Sequence, residues 1–300
     1  VNFKLKVKEA ESLGKDTAVK FVRELAGYRR QLAQPYLTDK EMTEQLIQEA
    51  YNRMQEDVKA YHILVRVDED ATPADTIKAL KQLKALSKGV KTEAQMVKAI
   101  QAVQKDKDEN TIGEDLGYFT AFSMVYPFES KAYNTEVGTL SEPVRTRFGY
   151  HVIFVADRRP ARGEIRVSHI MTKSSNQSTE AEKEQAKQRI DEIYNRLKSG
   201  ENFKDLASQF SEDQGTADKG GVLPWFGTGR MVPEFEDAAF GLKMNGEYTE
   251  PIKTAYGWHI IKREDYRGVG SLEEVRGTIK QKIEKDTRGN KGRESLIEKL

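Results

Sequence analysis

The 300-residue sequence contains no cysteine. Thiol nucleophiles, disulfides and thiolate metal sites are therefore excluded together. The compartment stays open, because an oxidising space tolerates a cysteine-free chain. An excess of one charge is also missing: 49 Lys and Arg stand against 48 Asp and Glu, a formal balance of +1. Nothing electrostatic marks nucleic acid or an anionic membrane as the main partner. Long hydrophobic runs are absent. The longest strongly apolar stretch, Tyr150 to Ala156, falls far short of the ~20 residues of a membrane-spanning helix, so no stable membrane insertion is expected. The signatures G-x-S-x-G, H-E-x-x-H and G-x-x-x-x-G-K do not occur, and Gly227-Thr228-Gly229 is a lone glycine pair. The four histidines stand singly in strands, so no local metal-ligand motif forms and no cofactor is expected. The chain opens on Val1 with no signal-peptide pattern, and Glu294 to Leu300 reads as a helix in progress. A processed or trimmed polypeptide is expected.

What is present suffices for hydrophobic cores: 37% of residues are hydrophobic. The 32% charged share implies much surface per unit of core, which suits several small domains better than one large globule. A repeat then organises the chain. Ala60-Tyr61-His62-Ile63-Leu64 matches Val167-Ser168-His169-Ile170-Met171, an offset of 107 residues. Leu116-Gly117-Tyr118-Phe119 matches Leu223-Pro224-Trp225-Phe226, and Met124-Val125 with Phe128-Glu129 matches Met231-Val232 with Phe235-Glu236, at the same offset. Gly149-Tyr150-His151-Val152-Ile153 matches Gly257-Trp258-His259-Ile260-Ile261, one residue further out. A period of this size is a domain duplication rather than a solenoid.

Punctuation predicts the elements of each copy. Lys59 to Val65 reads as a strand with Ala60, His62 and Leu64 on one face. Thr72-Pro73-Ala74-Asp75 reads as a helix start, with Ile77, Leu80 and Leu83 as its stripe, and Thr92 to Gln95 opens a second helix. In the later copy, Thr179 to Glu182 is a capping box ahead of Ala186, Ile190, Ile193 and Leu197 at helical spacing. Phe203 to Phe210 is a shorter helix, Pro233 starts another through Phe240, and Trp258 to Lys262 is the last strand. The pattern predicts an α+β fold: two tandem domains, each a small antiparallel sheet surrounded by helices. Helical segments flank them. Phe21, Leu25, Tyr28 and Leu32 form a stripe stopped at Pro35. Thr38 to Glu41 is a capping box before Ile47, Tyr51, Met54 and Val58, and Ser271 to Glu274 is another before Leu272, Val275, Ile279 and Ile283. These flanking segments are expected to pack on each other or on a missing part. The expected organisation is a helical segment over 1–57, domains over 58–161 and 164–266, and a helical segment over 271–300. The Arg158 to Gly163 connection reads as a solvated basic turn.

The later copy resembles the parvulin (rotamase, PpiC-like) family of peptidyl-prolyl cis/trans isomerases. The resemblance rests on Val167-Ser168-His169-Ile170, Gln209-Phe210-Ser211-Glu212-Asp213, Gly220-Gly221-Val222-Leu223, Met231-Val232-Pro233-Glu234-Phe235 and Gly257-Trp258-His259-Ile260-Ile261, in family order. It implies a polar group of His169, Asp213, Thr254 and His259, and a proline pocket of Leu223, Met231 and Phe235 with Trp225 and Phe226 beside it. Pro224 departs from the family's usual glycine. The constant spacing carries the same roles onto His62, Asp106, Leu116, Met124, Phe128, Thr146 and His151 of the earlier copy. There Val103-Gln104-Lys105 replaces Phe210-Ser211-Glu212 and Gly113-Glu114 replaces Gly220-Gly221. The later copy is thus expected to be the active one, and the earlier copy either an isomerase or a peptide-binding module. Singly, Leu223, Met231 and Phe235 read more readily as ordinary core, and the two His as a pair that stabilises the sheet; together and in order the motifs favour the site. Helix, two parvulin copies, then helix resembles the periplasmic folding factors of the SurA and PrsA type. That resemblance implies an exported isomerase-chaperone whose partners are unfolded or proline-containing polypeptides. A holdase whose copies bind peptides without catalysis is the alternative.

Overall fold

Each copy is built on a pair of long strands whose faces are both covered, so the alternation of the sequence survives only as a choice between two cores. The structure, a computed structural model, describes residues 2–33, 39–106 and 108–299. In the first copy β1 (Glu56–Arg66) lies antiparallel to β5 (Gly149–Pro160) and β2 (Thr111–Phe119). The short β3 (Thr139–Leu140) and β4 (Val144–Thr146) also pair with β5. Tyr61, Ile63 and Val65 point into a core with α4 (Pro73–Leu86) and α5 (Glu93–Asp106). Val58 and Ala60 point into the opposite core, with Phe128 and Ala132 of α6 (Tyr126–Tyr133).

The second copy repeats the plan with β6 (Glu164–Lys173), β9 (Gly257–Arg267), β7 (Phe226–Gly227) and β8 (Ile252–Thr254) in the order β7-β6-β9-β8. Ile170 and Ile260 pack on α7 (Glu180–Lys198) and α8 (Phe203–Phe210). Ile165, Val167 and Ile261 face Phe235 and Ala239 of α9 (Pro233–Gly241). The fold is therefore α+β with helices on both sides of small antiparallel sheets, as expected.

Local signals explain the helix starts. Thr72 Oγ1 accepts the Asp75 N–H with Pro73 in the first turn, and Thr179 and Glu182 form the expected capping box. Three expectations need correction. Ile77 stays exposed, because α4 buries the Ala79–Leu83 row instead. Val58 belongs to β1, since α3 (Lys40–Met54) stops before it. Arg158 and Arg159 continue β5, and together with Arg162 they are engaged by carboxylates rather than solvated. Pro35 and Thr38 lie outside the described residues. Among the described ones Asp39 caps α3, accepting the Glu41 N–H at 2.9 Å.

The chain divides into two units, Val1–Gln48 with Lys280–Leu300, and Glu49–Ile279. In the first, N- and C-terminal segments meet at Asp39. Its N–H donates to the Gly292 carbonyl at 2.9 Å. Its carboxylate accepts from Ser295 at 2.8 Å and pairs with Lys299 at 2.6 Å. The helices α1 (Asn2–Ser12) and α2 (Val19–Ala33) leave Phe3, Leu5, Phe21, Leu25, Tyr28 and Leu32 exposed. Among the described residues no helix is long and apolar enough to cross a membrane.

Candidate functional site

On the α9 side of the second sheet, the β6–β9 pairing sets Met171 opposite His259 and His169 opposite Ile261. The two imidazoles share one face and stack, with ring centroids 5.7 Å apart and planes 12° from parallel. Their Nδ1 atoms lie 3.5 Å apart. His169 Nε2 reaches Asp213 Oδ2 at 2.8 Å, and Thr254 Oγ1 reaches His259 Nε2 at 2.9 Å. Phe235 meets both rings edge-on, at 5.6 Å and 5.4 Å between centroids.

One set of tautomers satisfies every one of these contacts. An ionised carboxylate only accepts, so His169 donates from Nε2 and accepts at Nδ1. His259 must then donate from Nδ1 and accept at Nε2, where Thr254 donates. Thr254 in turn accepts the Tyr256 N–H at 3.1 Å. Thr216 adds a second donor to Asp213. All four groups are thus held in one orientation with both rings neutral. Burial is the first cause of that neutrality: it pulls His259 down to about 4, with the neighbouring His169 adding to the effect. His169 is also lowered by burial, against the opposing pull of Asp213. Burial works against the Asp213 anion, yet hydrogen bonds from Thr216 and His169 hold its carboxyl below the usual range.

Leu223 and Met231, each partly exposed, pack against the core that contains Phe235 and Phe226. This places three of the residues expected to line a pocket side by side with the polar network. Trp225 does not join them. Its ring lies by the guanidinium groups of Arg267 and Arg166, at 4.4 Å and 5.5 Å.

The first copy repeats the arrangement with one substitution. His62 and His151 approach Nδ1 to Nδ1 at 3.2 Å, Thr146 reaches His151 at 2.8 Å, and Phe128 stands edge-on to both rings. Burial pulls His151 down to about 3 and also lowers His62. Leu116 and Met124 pack beside Phe128. Asp106, however, ends α5 and is exposed. The carboxylate that reaches His62 is Glu114, at 3.3 Å. The cause is backbone geometry. Glu114 occupies the position of Gly221, whose φ is +80° and where a Cβ would sit 2.2 Å from the His169 carbonyl. A side chain cannot enter that conformation. The first copy runs as a regular strand instead and sets Glu114 directly across from His62. Sequence reasoning missed Glu114, although the Gly-to-Glu exchange at this position was its signal.

A second missed feature is a buried glutamate on each pocket helix. Glu236 accepts the Gly229 N–H at 2.8 Å and Glu129 accepts the Phe122 N–H at 2.6 Å. Both loop residues have left-handed backbone, with φ of +77° and +67°. Each glutamate therefore ties the loop that carries Met231 or Met124 to the helix that carries Phe235 or Phe128. The Phe-Glu repeat in both copies was the available signal.

The neutral histidines set a pH dependence. An unfolded histidine titrates near 6.5, so below that pH the unfolded chain binds protons that the folded site refuses. Stability should fall as pH drops from about 6.5 toward 4, by up to about 1.4 kcal/mol per pH unit for each histidine kept neutral. Urea unfolding of the parent and of His259→Gln at pH 7 and pH 5 checks this. The variant should lose less stability on acidification than the parent, and equal losses would count against it.

Two family models of the PPIC-type PPIASE domain match the chain, over residues 45–159 and 169–265. Among curated proteins, Chaperone SurA of Pseudomonas aeruginosa is 32% identical over 229 residues, covering 75% of this chain and 54% of that protein. Chaperone SurA of Alcanivorax borkumensis is 30% identical over 246 residues, covering 80% and 55%. The chain thus spans about half the length of the curated relatives it matches. Among solved structures, PrsA from Bacillus subtilis is similar at 36% identity over 46% of this chain and 48% of that one, with a TM-score of 0.30. PrsA from Bacillus cereus is similar at 24% identity over 90% and 84%, with a TM-score of 0.33.

Proposed function

Because the chain belongs to the PPIC-type peptidyl-prolyl isomerase family, with two such domains in tandem, we propose that it catalyses cis/trans isomerisation of X-Pro bonds in unfolded exported polypeptides and assists their folding. The observation that carries this reading is the apolar lip of Leu223, Met231 and Phe235 set against a buried, neutral, fully hydrogen-bonded His169–His259 pair.

The reaction asks little else. Twisting an X-Pro bond loses amide resonance, a barrier of ~18–20 kcal/mol, while the planar ends differ by only ~0.5–1 kcal/mol. No bond is made or broken, so no nucleophile and no cofactor is required. The lip grips the pyrrolidine ring while the preceding carbonyl swings. The dry surroundings disfavour the charge-separated planar amide relative to the twisted one. The network supplies fixed dipoles, with Asp213 holding His169 and Thr254 holding His259, so that no group reorganises as the bond turns. His169, Asp213, Thr254 and His259 are the proposed catalytic group, and Leu223, Met231, Phe235 and Phe226 the proposed pocket. Trp225 is left out.

The first domain takes the corresponding reading with Glu114 in place of Asp106. The second domain is proposed over 164–266 and the first, expected over 58–161, is proposed to begin with β1 at Glu56; the bacterial envelope is the proposed location, supported by the SurA relatives. Relaxation of a proline tetrapeptide toward its cis/trans equilibrium tests the activity. The full chain should speed the relaxation above buffer, and a rate equal to buffer would overturn the reading.

A further inference from the structure

The clamp on the second pocket loop is not built by the second domain alone. Glu236 holds the Gly229 N–H, and the cations beside Glu236 come from outside the second domain. Arg162 binds it directly, and Arg159 Nη2 lies 3.7 Å away. Arg159 sits at the end of β5, in the first domain, with its guanidinium 3.7 Å from the centre of the Tyr118 ring on β2. Its Nε donates to Asp57 of β1 at 3.2 Å. The same Asp57 oxygen accepts the Thr228 hydroxyl at 2.7 Å, within the pocket loop itself. A Cβ added to Gly229 would lie 3.0 Å from the Tyr118 carbonyl, so the two backbones nearly touch.

Asp57, Thr228 and Glu236 are 1%, 6% and 4% exposed. Charged groups at such depth are held by their partners, since an unpartnered buried ion is strongly disfavoured. The first copy offers a comparison: there Arg53 of α3, which lies outside the second domain, serves Glu129 at 3.0 Å.

We propose that the first parvulin domain is a positioning element for the second domain's pocket, with Asp57 and Arg159 holding the 227–232 loop through Thr228 and Glu236. The proposal rests on the isomerase reading of that pocket. It gives the first domain a task whether or not it turns over substrate. Asp57, Arg159 and Thr228 are positioning residues, since they touch the loop and not the proline site.

The test compares the full chain with its Thr228→Val and Asp57→Asn variants. Two quantities are read: amide hydrogen exchange at Gly229, with the amides of α8 as internal reference, and steady-state kinetics on a proline tetrapeptide. Both variants should exchange Gly229 at least about tenfold faster while α8 stays protected. Both should lower kcat/KM by at least about threefold, chiefly through a raised KM, because the lip is misplaced while the His network is intact. Gly229 exchange or kcat/KM within about twofold of the parent would overturn the proposal. If Asp57→Asn also exposes α8, its fold is affected and Thr228→Val alone decides. A parent chain with no isomerase rate sinks the isomerase reading, and Gly229 exchange then still decides whether the first domain holds the loop.

Discussion

The Met231→Ala chain is expected to isomerise a proline tetrapeptide with kcat/KM about tenfold below the parent, the equivalent of about 1.4 kcal/mol of lost transition-state stabilisation. Met231 is partly exposed and packs beside Phe235 without entering the hydrogen-bonded network. Its removal trims the lip and leaves the His pair in place. Phe235→Ala should remove the second domain's share of the activity, but its reading is mixed. The ring is 4% exposed and braces both imidazoles, and deleting a buried phenylalanine costs ~3–5 kcal/mol of stability. Met231→Ala therefore separates binding from folding. Met124→Ala, at the matching position of the first domain, reports how much of the rate that copy carries. An unchanged kcat/KM in Met231→Ala, with Met124→Ala also silent, would leave the apolar lip without a part in catalysis.

Arg53→Met is expected to lower the unfolding free energy by about 3–5 kcal/mol. Arg53 is 7% exposed and Glu129 fully buried. The guanidinium reaches Glu129 and Ser130 at 3.0 Å each, and Glu49 at 2.5 Å. It also lies 5.5 Å from the ring centres of both Tyr126 and Tyr133. Methionine fills similar volume but takes the guanidinium away from the buried Glu129 charge. Chemical denaturation of the full chain measures the loss. A change below about 1 kcal/mol would mean that the pair behaves like an exposed one.

The elements with strong local signals were legible in the sequence. Thr72-Pro73 and the Thr179–Glu182 box fix helix starts by their own hydrogen bonds, which need no tertiary partner. The pairing of His169 with His259 was legible through the resemblance to the parvulin family, and the repeat carried it onto His62 and His151 with one residue of difference in spacing. What failed depended on the third dimension. Ile77 fits a helical stripe, but only the sheet decides which stripe is buried. Asp106 kept its spacing to His62 while its helix carried it away, and Glu114 took over through cross-strand register. Arg158 to Gly163 read as a turn because three closely spaced arginines suggest solvent. Their partners, among them Asp57, Glu236 and Asp237, lie about 75 to 100 residues away in sequence and could be paired with them only once both domains were in place. Trp225 shows the same limit, since its partners Arg166 and Arg267 lie on strands far from it in sequence.

Catalysis as proposed requires that the apolar lip of Leu223, Met231 and Phe235 beside His169 and His259 receive a proline ring. Intermolecular NOEs between the full chain, with its methionine methyls labelled, and a proline tetrapeptide give the sharpest check. Contacts are expected from the pyrrolidine protons to the Met231 methyl and the Phe235 ring, with cis and trans signals of the peptide in mutual exchange. Contacts confined to the exposed apolar residues of α1 and α2, with no exchange between the two isomers, would refute the assignment of this lip.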